Sequence, residues 1–412
     1  MTDARDHDLV LLGASGFVGR LVAEHVARHA PPGTRVALAG RSRARLEEVR
    51  AALPDVAHGW PVVVADSADD AALARLARST RALLSTVGPY ARHGLPLVGA
   101  CAAAGTHYAD LTGEATFVRA AVDRYGAAAR ASGARVVHAC GYDSVPSDLA
   151  VHLLHARAAA DGAGELVDVR LRARARGGVS GGTVASMRGV LDDARRSATT
   201  RRLLRDPYAL SPDRGAEPDV PQPRTLAPPR RAADGRWAGP WVMASFDGQV
   251  VRRSNALTGW AYGRGLRYGE VVDTGPGARG AALAAGVAAG LVVGGGLLLV
   301  PGVGRALERV LPAPGTGPDA ATRARGWFRS EVRATTTSGR RYTAVAAGPG
   351  DPGYAATAVM LGQTGLALAL DAERLPDRAG SLTPATALGD VLVARLRAAG
   401  HTYAADEATP VA

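Results

Sequence analysis

The stretch DLVLLGASGFVGRLVAEH, residues 8–25, constrains the fold more than any other part of the chain. Apolar residues run directly into a glycine-rich turn, and a helical pattern follows without a gap. A tight turn between a strand and a helix brings backbone N–H groups close to a pyrophosphate, at the positive end of the helix. Glycine spacing alone is weak evidence, but the flanking strand and helix supply the required context. The predicted contacts of this dinucleotide-binding turn are Gly13, Ser15, Gly16, Phe17, Val18 and Gly19.

Six apolar strand candidates alternate with helical segments in the first third of the chain. They are Leu9–Gly13, Arg35–Gly40, Pro61–Asp66, Arg81–Tyr90, a short strand in THYADLTGE, and Ala134–Gly141. Strands that alternate with helices are typical of βαβ units, whose parallel strands form a doubly wound sheet. We therefore predict an α/β fold with a Rossmann-type domain over residues 1–148.

The pattern changes after Asp148, where strands and helices no longer alternate regularly. The predicted elements are the strand Val167–Arg174, a capped helix Ser180–Arg196, and a hairpin Phe328–Ala347 around an SGR turn. They predict a second, α+β domain with an antiparallel sheet over residues 149–350. Two later helical patterns, Tyr354–Leu370 and Ala387–Ala399, predict that residues 351–412 pack back on the first domain.

One segment, Gly280–Gly304, contains 25 consecutive residues without a charge, between Arg279 and Arg305. That length can span a bilayer. The segment is rich in Ala and Gly and contains Pro301, so insertion into a membrane would be weakly favoured. Three interpretations stay open: a buried pair of helices, a helix lying on a membrane surface, and a membrane span.

The basic side chains exclude several kinds of chemistry. All 49 Lys+Arg positions are Arg. Without lysine there is no Schiff base, and the Tyr–Lys pair of short-chain reductases cannot exist. The formal net charge of +11 suggests an anionic partner. Because the arginines are scattered without interleaved aromatic residues, we predict an anionic small ligand or lipid surface and no nucleic acid.

The two cysteines, Cys101 and Cys140, lie far apart and without the spacing of a metal site. Such sparse usage fits a reducing compartment rather than a disulfide scaffold. No His-Glu-x-x-His or Cys/His cluster occurs, so we predict no metal site. The N-terminal MTDARDHD lacks the apolar core of a signal peptide. We expect a cytoplasmic protein, with peripheral contact to the plasma membrane as an alternative.

The end of the second predicted strand, in ALAGRSRARL, indicates which dinucleotide binds. A carboxylate at this position holds the ribose 2′-hydroxyl of NAD, whereas a basic group suits the 2′-phosphate of NADP. No carboxylate occurs before Glu47, and Arg41, Ser42 and Arg43 are where the phosphate would lie. Arg41 can hold it by bidentate hydrogen bonds, with Ser42 as a short donor. We therefore predict NADP(H) as the cofactor. The further predicted contacts, at the ends of strands three and four, are Asp66, Ser67, Val87, Gly88 and Pro89.

Hydride transfer from a nicotinamide needs little from a protein beyond positioning and one proton donor. Ligands of open α/β sheets bind at the carboxyl ends of the strands. Tyr142, Asp143 and Tyr90 follow predicted strand ends and are the catalytic candidates, with Asp110 and Glu114 after them. For each of these residues the alternative is a hydrogen bond that shapes a loop.

Several motifs resemble those of the saccharopine dehydrogenase-like oxidoreductases: GASGFVG, STVGPYARHGLPLVGACAAAGTHYADLTGE and CGYDSVPSDL. The later motifs resemble the trans-acting enoyl reductase branch of actinobacteria: SGGTVAS, VVRRSNAL, RGWFRSEV, DPGYAATAVMLGQTGLALAL and LTPATALG. The resemblance covers nearly the whole chain. It implies a Rossmann domain with an inserted α+β domain. It also implies NADPH-dependent reduction of an enoyl double bond on a polyketide-derived lipid precursor, as in phthiocerol and phenolphthiocerol glycolipid assembly.

The leading hypothesis is an NADPH-dependent reductase for a hydrophobic acyl substrate. A carrier protein or synthase could present that substrate, and a homodimer is an open alternative. Two other functions stay open: reduction of an imine, as saccharopine formation requires, and NADPH binding without turnover by a lipid-associated protein. A zwitterionic imine would call for polar recognition clusters rather than a long apolar segment. Oxidation of NADPH by an enoyl thioester separates the first hypothesis from the others.

Overall fold

The computed structural model describes residues 5–177, 189–190, 192–298 and 317–408. The strands in these ranges are β1 (His7–Leu12), β2 (Val36–Gly40), β3 (Val62–Val64), β4 (Thr80–Ser85), β5 (His107–Asp110), β6 (Arg135–Val137), β7 (Leu166–Arg176), β8 (Arg230–Arg231), β9 (Arg236–Pro240), β10 (Arg267–Pro276), β11 (Trp327–Thr336), β12 (Arg341–Pro349), β13 (Gly380–Leu382) and β14 (Thr402–Glu407). The α-helices are α1 (Phe17–His29), α2 (Arg43–Ala51), α3 (Asp70–Arg78), α4 (Tyr90–Ala104), α5 (Ala115–Ser132), α6 (Val145–Ala160), α7 (Ala198–Arg205), α8 (Ala244–Leu257), α9 (Gly277–Leu298), α10 (Ala320–Ala324), α11 (Thr357–Leu370) and α12 (Pro384–Ala398).

The first sheet confirms the predicted doubly wound architecture. Its strand order is β13-β6-β5-β4-β1-β2-β3, and all of its recorded pairs are parallel. The six strands of the N-terminal part thus follow the Rossmann order, which reverses between β1 and β4. The seventh strand, Gly380–Leu382, was not predicted, because three residues with a central Ser carry no strand pattern.

Side chains of β1 alternate between two cores, one on each face of this sheet. Leu9 and Leu11 enter one core, and Val10 and Leu12 enter the other. Helices cover both faces of the sheet, so the side chains on both sides of β1 are buried. This double burial explains why β1 reads as a continuous apolar run rather than as an alternating strand.

The second sheet has the strand order β14-β12-β11-β7-β10-β9-β8. It was predicted to be antiparallel, and one pair, β7 with β10, is parallel instead. A parallel pair needs a long crossover, and the chain between these two strands supplies one through α7 and α8. The hairpin of β11 and β12 confirms the predicted turn, with Gly339 at φ +83° between the strands.

The C-terminal part of the chain contacts both sheets. Helix α11 packs against α1 and β4, and α12 packs against α6. The pattern predicted as a helix from Tyr354 begins with a π-turn over Pro352–Ala356, and β14 adds an edge strand beside β12. The helix predicted over Ser180–Arg196 lies largely outside the described residues, and residues 192–196 of it are helical.

The apolar segment predicted over Gly280–Gly304 is helical as far as α9 is described, to residue 298. Ala284 packs against β9, but Leu283, Val292 and Val293 are 49%, 68% and 57% exposed. The interpretation as a buried pair of helices is therefore wrong for the described part of the segment.

By length and composition alone, one helical stretch in the described ranges could cross a membrane. It is Pro352–Leu370, whose most apolar window is 78% buried inside the protein.

Candidate cofactor and active site

The glycine turn between β1 and α1 has the geometry that a pyrophosphate site requires. Gly13 has a φ of +87°, and a Cβ at this residue would lie 2.6 Å from the Thr86 hydroxyl oxygen. A Cβ on Gly19 would lie 2.1 Å from the Gly13 carbonyl oxygen, so this glycine lets the helix pack on the turn. Gly16 precedes the helix, and no side chain caps the first turn there. The backbone N–H groups in the first turn of α1 are therefore available to bind an anion.

An open groove of about 540 Å³ extends from this turn across the carboxyl ends of β1, β2 and β4. It lies where the strand order reverses, which is the usual crevice for a dinucleotide. It brings together Gly13, Ser15, Gly16, Phe17, Arg41, Ser67, Val87 and Gly88 from the predicted contacts. The lining residues that the sequence reasoning missed are Leu12, Arg20, Gly40, Arg45, Glu48, Ala65, Thr86 and His93.

Five predicted contacts lie beside the groove rather than in its lining: Val18, Gly19, Ser42, Asp66 and Pro89. Ser42 caps α2 by accepting a hydrogen bond from the Arg45 N–H at 3.4 Å. Asp66 is exposed and accepts from the Ala68 N–H at 3.0 Å, which closes a turn. The side chains of Ser42 and Asp66 therefore already shape the backbone at the strand ends.

Two guanidinium groups stand at the adenosine end of the groove. Arg41, just before α2, and Arg45, in its first turn, both line the groove, and neither forms an ion pair with a residue that the structure describes. Glu48 is the one carboxylate among the lining residues. Because free guanidinium groups bind phosphate by charge-assisted hydrogen bonds, this end suits a 2′-phosphate. Arg45 was detectable in the sequence as the residue four positions after Arg41.

A pair of substitutions separates the two roles of the glycines. Gly19→Ala should lower the free energy of unfolding by about 3 kcal/mol, because its methyl group collides with backbone. Gly16→Ala meets only the Gly13 carbonyl, at 3.2 Å, and should leave stability within about 1 kcal/mol. It should instead weaken NADPH binding roughly tenfold or more by blocking the close approach of the pyrophosphate. Denaturant unfolding and titration of nicotinamide fluorescence measure the two effects. Equal destabilisation by both variants would contradict the assignment.

Tyr90 lies at the start of α4 with its hydroxyl already engaged. The hydroxyl donates to the Ser85 carbonyl at 2.9 Å and accepts from the Leu111 N–H at 3.2 Å. Burial, and then the nearby carboxylate of Asp110, raise the pKa of Tyr90. Glu114 accepts from the N–H groups of Tyr90 and Ala91 and so caps α4. These contacts tie the ends of β4 and β5 together, and we do not assign proton donation to Tyr90.

Asp110 has a similar structural role. Its carboxylate is fully buried and lies 2.7 Å from the Nδ1 atom of His138. It also accepts from the N–H of Ala139, a residue with a φ of +60°. The buried carboxyl group is thereby hydrogen-bonded, as a buried polar group must be. Asp110 holds the backbone between β5 and β6 in place.

Tyr142 and Asp143 lie in the turn between β6 and α6. The Asp143 side chain is half-buried, and its Oδ2 atom lies beside Gly113, 3.7 Å from where a Cβ would stand. The Met243 methyl group lies on the same spot, at 3.5 Å. Loss of solvent raises the pKa of Asp143 to about 6. A carboxyl group with that pKa can carry a proton near neutral pH, as a general acid must.

The ring of Tyr142 forms part of an aromatic wall. It contacts Trp241 edge-on at 6.4 Å between ring centroids and Phe328 at 5.2 Å. Burial, and then the carboxyl groups of Asp247 and Glu270, raise the pKa of Tyr142. The hydroxyl therefore stays protonated at physiological pH.

Asp247 and Glu270 form a buried carboxyl pair behind this wall, a feature that sequence reasoning missed. Ser144 donates to Asp247 at 3.3 Å, and the Tyr268 hydroxyl donates to Glu270. Burial raises the pKa of both carboxyl groups, because two adjacent carboxylates cannot both ionise away from water. The pair thus holds a proton near Tyr142. Its members are about 20 residues apart on α8 and β10, so no spacing in the sequence marks them.

Comparison with known proteins identifies the family of this chain. A profile of the saccharopine dehydrogenase NADP binding domain matches residues 9–137. The trans-acting enoyl reductase of Mycobacterium ulcerans is 47% identical over 97% of this chain and 98% of its own. The chain belongs to this family. A Mycobacterium tuberculosis protein, whose name carries the same activity as provisional, is 51% identical over 96% of both chains. The enzyme is thus an NADP-dependent oxidoreductase.

A solved structure supports the same fold. The saccharopine dehydrogenase of Saccharomyces cerevisiae, in its apo form, superposes with a TM-score of 0.56 at 14% identity. The match covers 97% of this chain and 99% of that one, so it includes both sheets. At that identity the likeness concerns the fold alone.

Proposed function

We propose that the enzyme reduces the carbon–carbon double bond of an enoyl group on a hydrophobic acyl chain. The observation that carries the proposal is the surroundings of Asp143, a carboxyl group with a raised pKa beside the Met243 methyl and near the ring of Tyr142. This wall suits an apolar chain better than a zwitterionic imine. The names of the mycobacterial relatives, which share about half of the sequence, support the same reaction.

NADPH, when bound, supplies the hydride that reaches the β-carbon of the double bond. The first turn of α1 and Arg41 would hold its phosphates, and Val87 and Gly88 would border the nicotinamide ribose. Asp143 would deliver the proton to the α-carbon and regain it from solvent through its exposed side. Tyr142 is then a positioning residue that closes the wall over the substrate. In this division residues 1–148 hold the cofactor, and residues 149–350 supply most of the substrate surface.

The test is turnover with competing substrates. Purified enzyme should oxidise NADPH with a 2-enoyl thioester, and mass spectrometry should show a product heavier by two hydrogen atoms. A mixture of an amine and a 2-oxo acid, which forms an imine, should support no oxidation. Oxidation with the imine mixture alone would overturn the proposal in favour of a saccharopine-type reaction. NADPH binding without turnover of either substrate would favour a protein that only binds the cofactor.

We further propose that the acyl chain is a polyketide-derived lipid precursor in the cytoplasm, as in the assembly of phthiocerol-type glycolipids. Membrane contact through α9 would bring the enzyme to such products. Leu283, Val292 and Val293 expose apolar area on this helix, and Arg279 is near its start. An apolar helix surface on a protein with a formal net charge of +11 suits an anionic lipid surface.

A charge on the exposed surface of α9 should release the enzyme from lipid. Leu283→Asp combined with Val292→Asp should lower partitioning onto phosphatidylglycerol vesicles at least roughly tenfold, because buried carboxylates are costly in the bilayer. Co-sedimentation measures the partitioning. Val56→Asp is the matched control, since Val56 is 61% exposed in a short 3₁₀-helix after α2. If the unaltered enzyme stays in the supernatant with these vesicles, the membrane proposal is wrong.

A further inference from the structure

A second groove, of about 1280 Å³, lies on the second sheet and shares no lining residue with the cofactor groove. We call it the arginine groove. It runs over β7 and β10 and past the segment 222–233, which precedes β9. Nine arginines line it, against a single carboxylate, Glu270. A surface with so strong an excess of one charge attracts an anion.

Most of the exposed arginines in this groove are without a carboxylate partner. Arg170, Arg172 and Arg333 are paired, with Asp168, Asp234 and Glu331. The others at the rim form no ion pair with any residue in the described part of the chain: Arg205, Arg224, Arg230, Arg231 and Arg267. Guanidinium groups that lie close together without carboxylate partners repel one another, and a bound phosphate would reduce this repulsion.

Apolar side chains line the same groove beside the charges. Leu226 is 66% exposed and Val242 is 43% exposed, although both are large hydrophobic residues. Trp241 and Leu204 continue this apolar surface. The ligand that such a lining fits is amphipathic, with an anionic group and an apolar chain.

One lining residue of the arginine groove, Trp241, connects it to the surroundings of the candidate proton donor. Trp241 lines the groove and contacts the ring of Tyr142. Two residues along the chain, the methyl group of Met243 lies beside Gly113 and the Asp143 carboxylate. Glu270, at the floor of the groove, belongs to the carboxyl pair behind Tyr142. An acyl chain that continued past Trp241 from this groove would approach Tyr142 and Asp143.

We infer that the arginine groove binds a phosphopantetheine thioester, with its phosphate on the rim arginines and its acyl chain pointing to Asp143. The inference rests on the proposed function, because the thioester carbonyl is what activates an adjacent double bond toward hydride. The same phosphate-bearing arm occurs in free coenzyme A thioesters and on carrier domains. The groove would recognise the arm in both. Its lining would thus restrict the substrates to phosphopantetheine thioesters, a restriction that the fold alone does not impose.

The test compares substrates with and without the phosphate. The triple variant Arg224→Gln, Arg230→Gln, Arg267→Gln is assayed with an enoyl-coenzyme A, an enoyl-carrier domain and an enoyl N-acetylcysteamine thioester, which lacks phosphate. The value of kcat/KM should fall about a thousandfold with the phosphate-bearing substrates, at roughly tenfold for each of three lost charge-assisted contacts. It should change by no more than about threefold with N-acetylcysteamine. Arg78→Gln, exposed at the end of α3, is the control and should behave like the unaltered enzyme.

The outcomes separate the inference from the function on which it rests. A loss with only one phosphate-bearing substrate supports the inference and identifies the source of the arm. Equal losses with all three substrates, or none, overturn it. If no substrate is reduced, the proposed function has failed, and calorimetric binding of the coenzyme A thioester still decides the inference. Binding that the triple variant loses supports it, and absence of binding to the unaltered enzyme overturns it.

Discussion

Asp143→Asn should lower kcat with an enoyl thioester by about 10²–10⁴-fold, the usual contribution of a general acid. The amide keeps the shape of the carboxyl group but cannot deliver a proton to the α-carbon. Because the cofactor groove does not include Asp143, the Kd for NADPH should change by no more than about twofold. Steady-state kinetics and fluorescence titration measure the two quantities. Tyr90→Phe is the contrasting variant, and it should lose stability through its two backbone hydrogen bonds.

The same residue predicts the direction of the pH dependence. Desolvation raises the pKa of Asp143 to about 6, and a proton donor acts only while it is protonated. The value of kcat/KM should therefore be highest below about pH 6 and fall up to tenfold per pH unit above it. Asp143→Asn should remove this limb from the profile. A variant that keeps both the unaltered kcat and the unaltered profile would show that the proton comes from another group.

Arg41→Asp should raise the Kd for NADPH by about 10²–10³-fold, because it removes two charge-assisted hydrogen bonds and sets a carboxylate against the 2′-phosphate. The Kd for NADH should change by no more than about threefold, since its ribose carries a hydroxyl there. Arg43→Asp is the matched control. Arg43 begins α2 two residues after Arg41, is absent from the groove lining, and has its Nη1 atom 3.7 Å from the Oε1 atom of Glu47. Equal losses for both cofactors would overturn the assignment of the 2′-phosphate site.

Local chemistry made the cofactor turn predictable. Gly19 is required by the turn that it packs against, and Gly13 by its φ of +87°, and both residues lie within one short stretch. Arg41 follows β2 directly, so its place at the edge of the sheet follows from the fold class. The Rossmann order of the first six strands was predictable for the same reason, since each βαβ unit is contiguous in sequence.

Side-chain roles at the strand ends were harder to predict. Tyr90, Asp110 and Asp143 all follow strands, and the sequence presented them as similar candidates. The structure commits the hydroxyl of Tyr90 and the carboxylate of Asp110 to hydrogen bonds, and it leaves Asp143 half-buried beside Met243. Partners for these polar atoms come from other strands and helices, and no local pattern records them.

The sequence by itself determined the doubly wound sheet, the pyrophosphate turn and the preference for NADP(H), because each is marked by a pattern of residues that are contiguous in the chain. Only the tertiary structure decided what surrounds Asp143, the proposed proton donor. Asp247 and Glu270 meet because α8 and β10 pack together. Strand β13 pairs with β6 across a separation of 245 residues, with Gly380 opposite Arg135. Burial and pairing of charge depend on which segments pack against one another, and packing is a property of the whole fold.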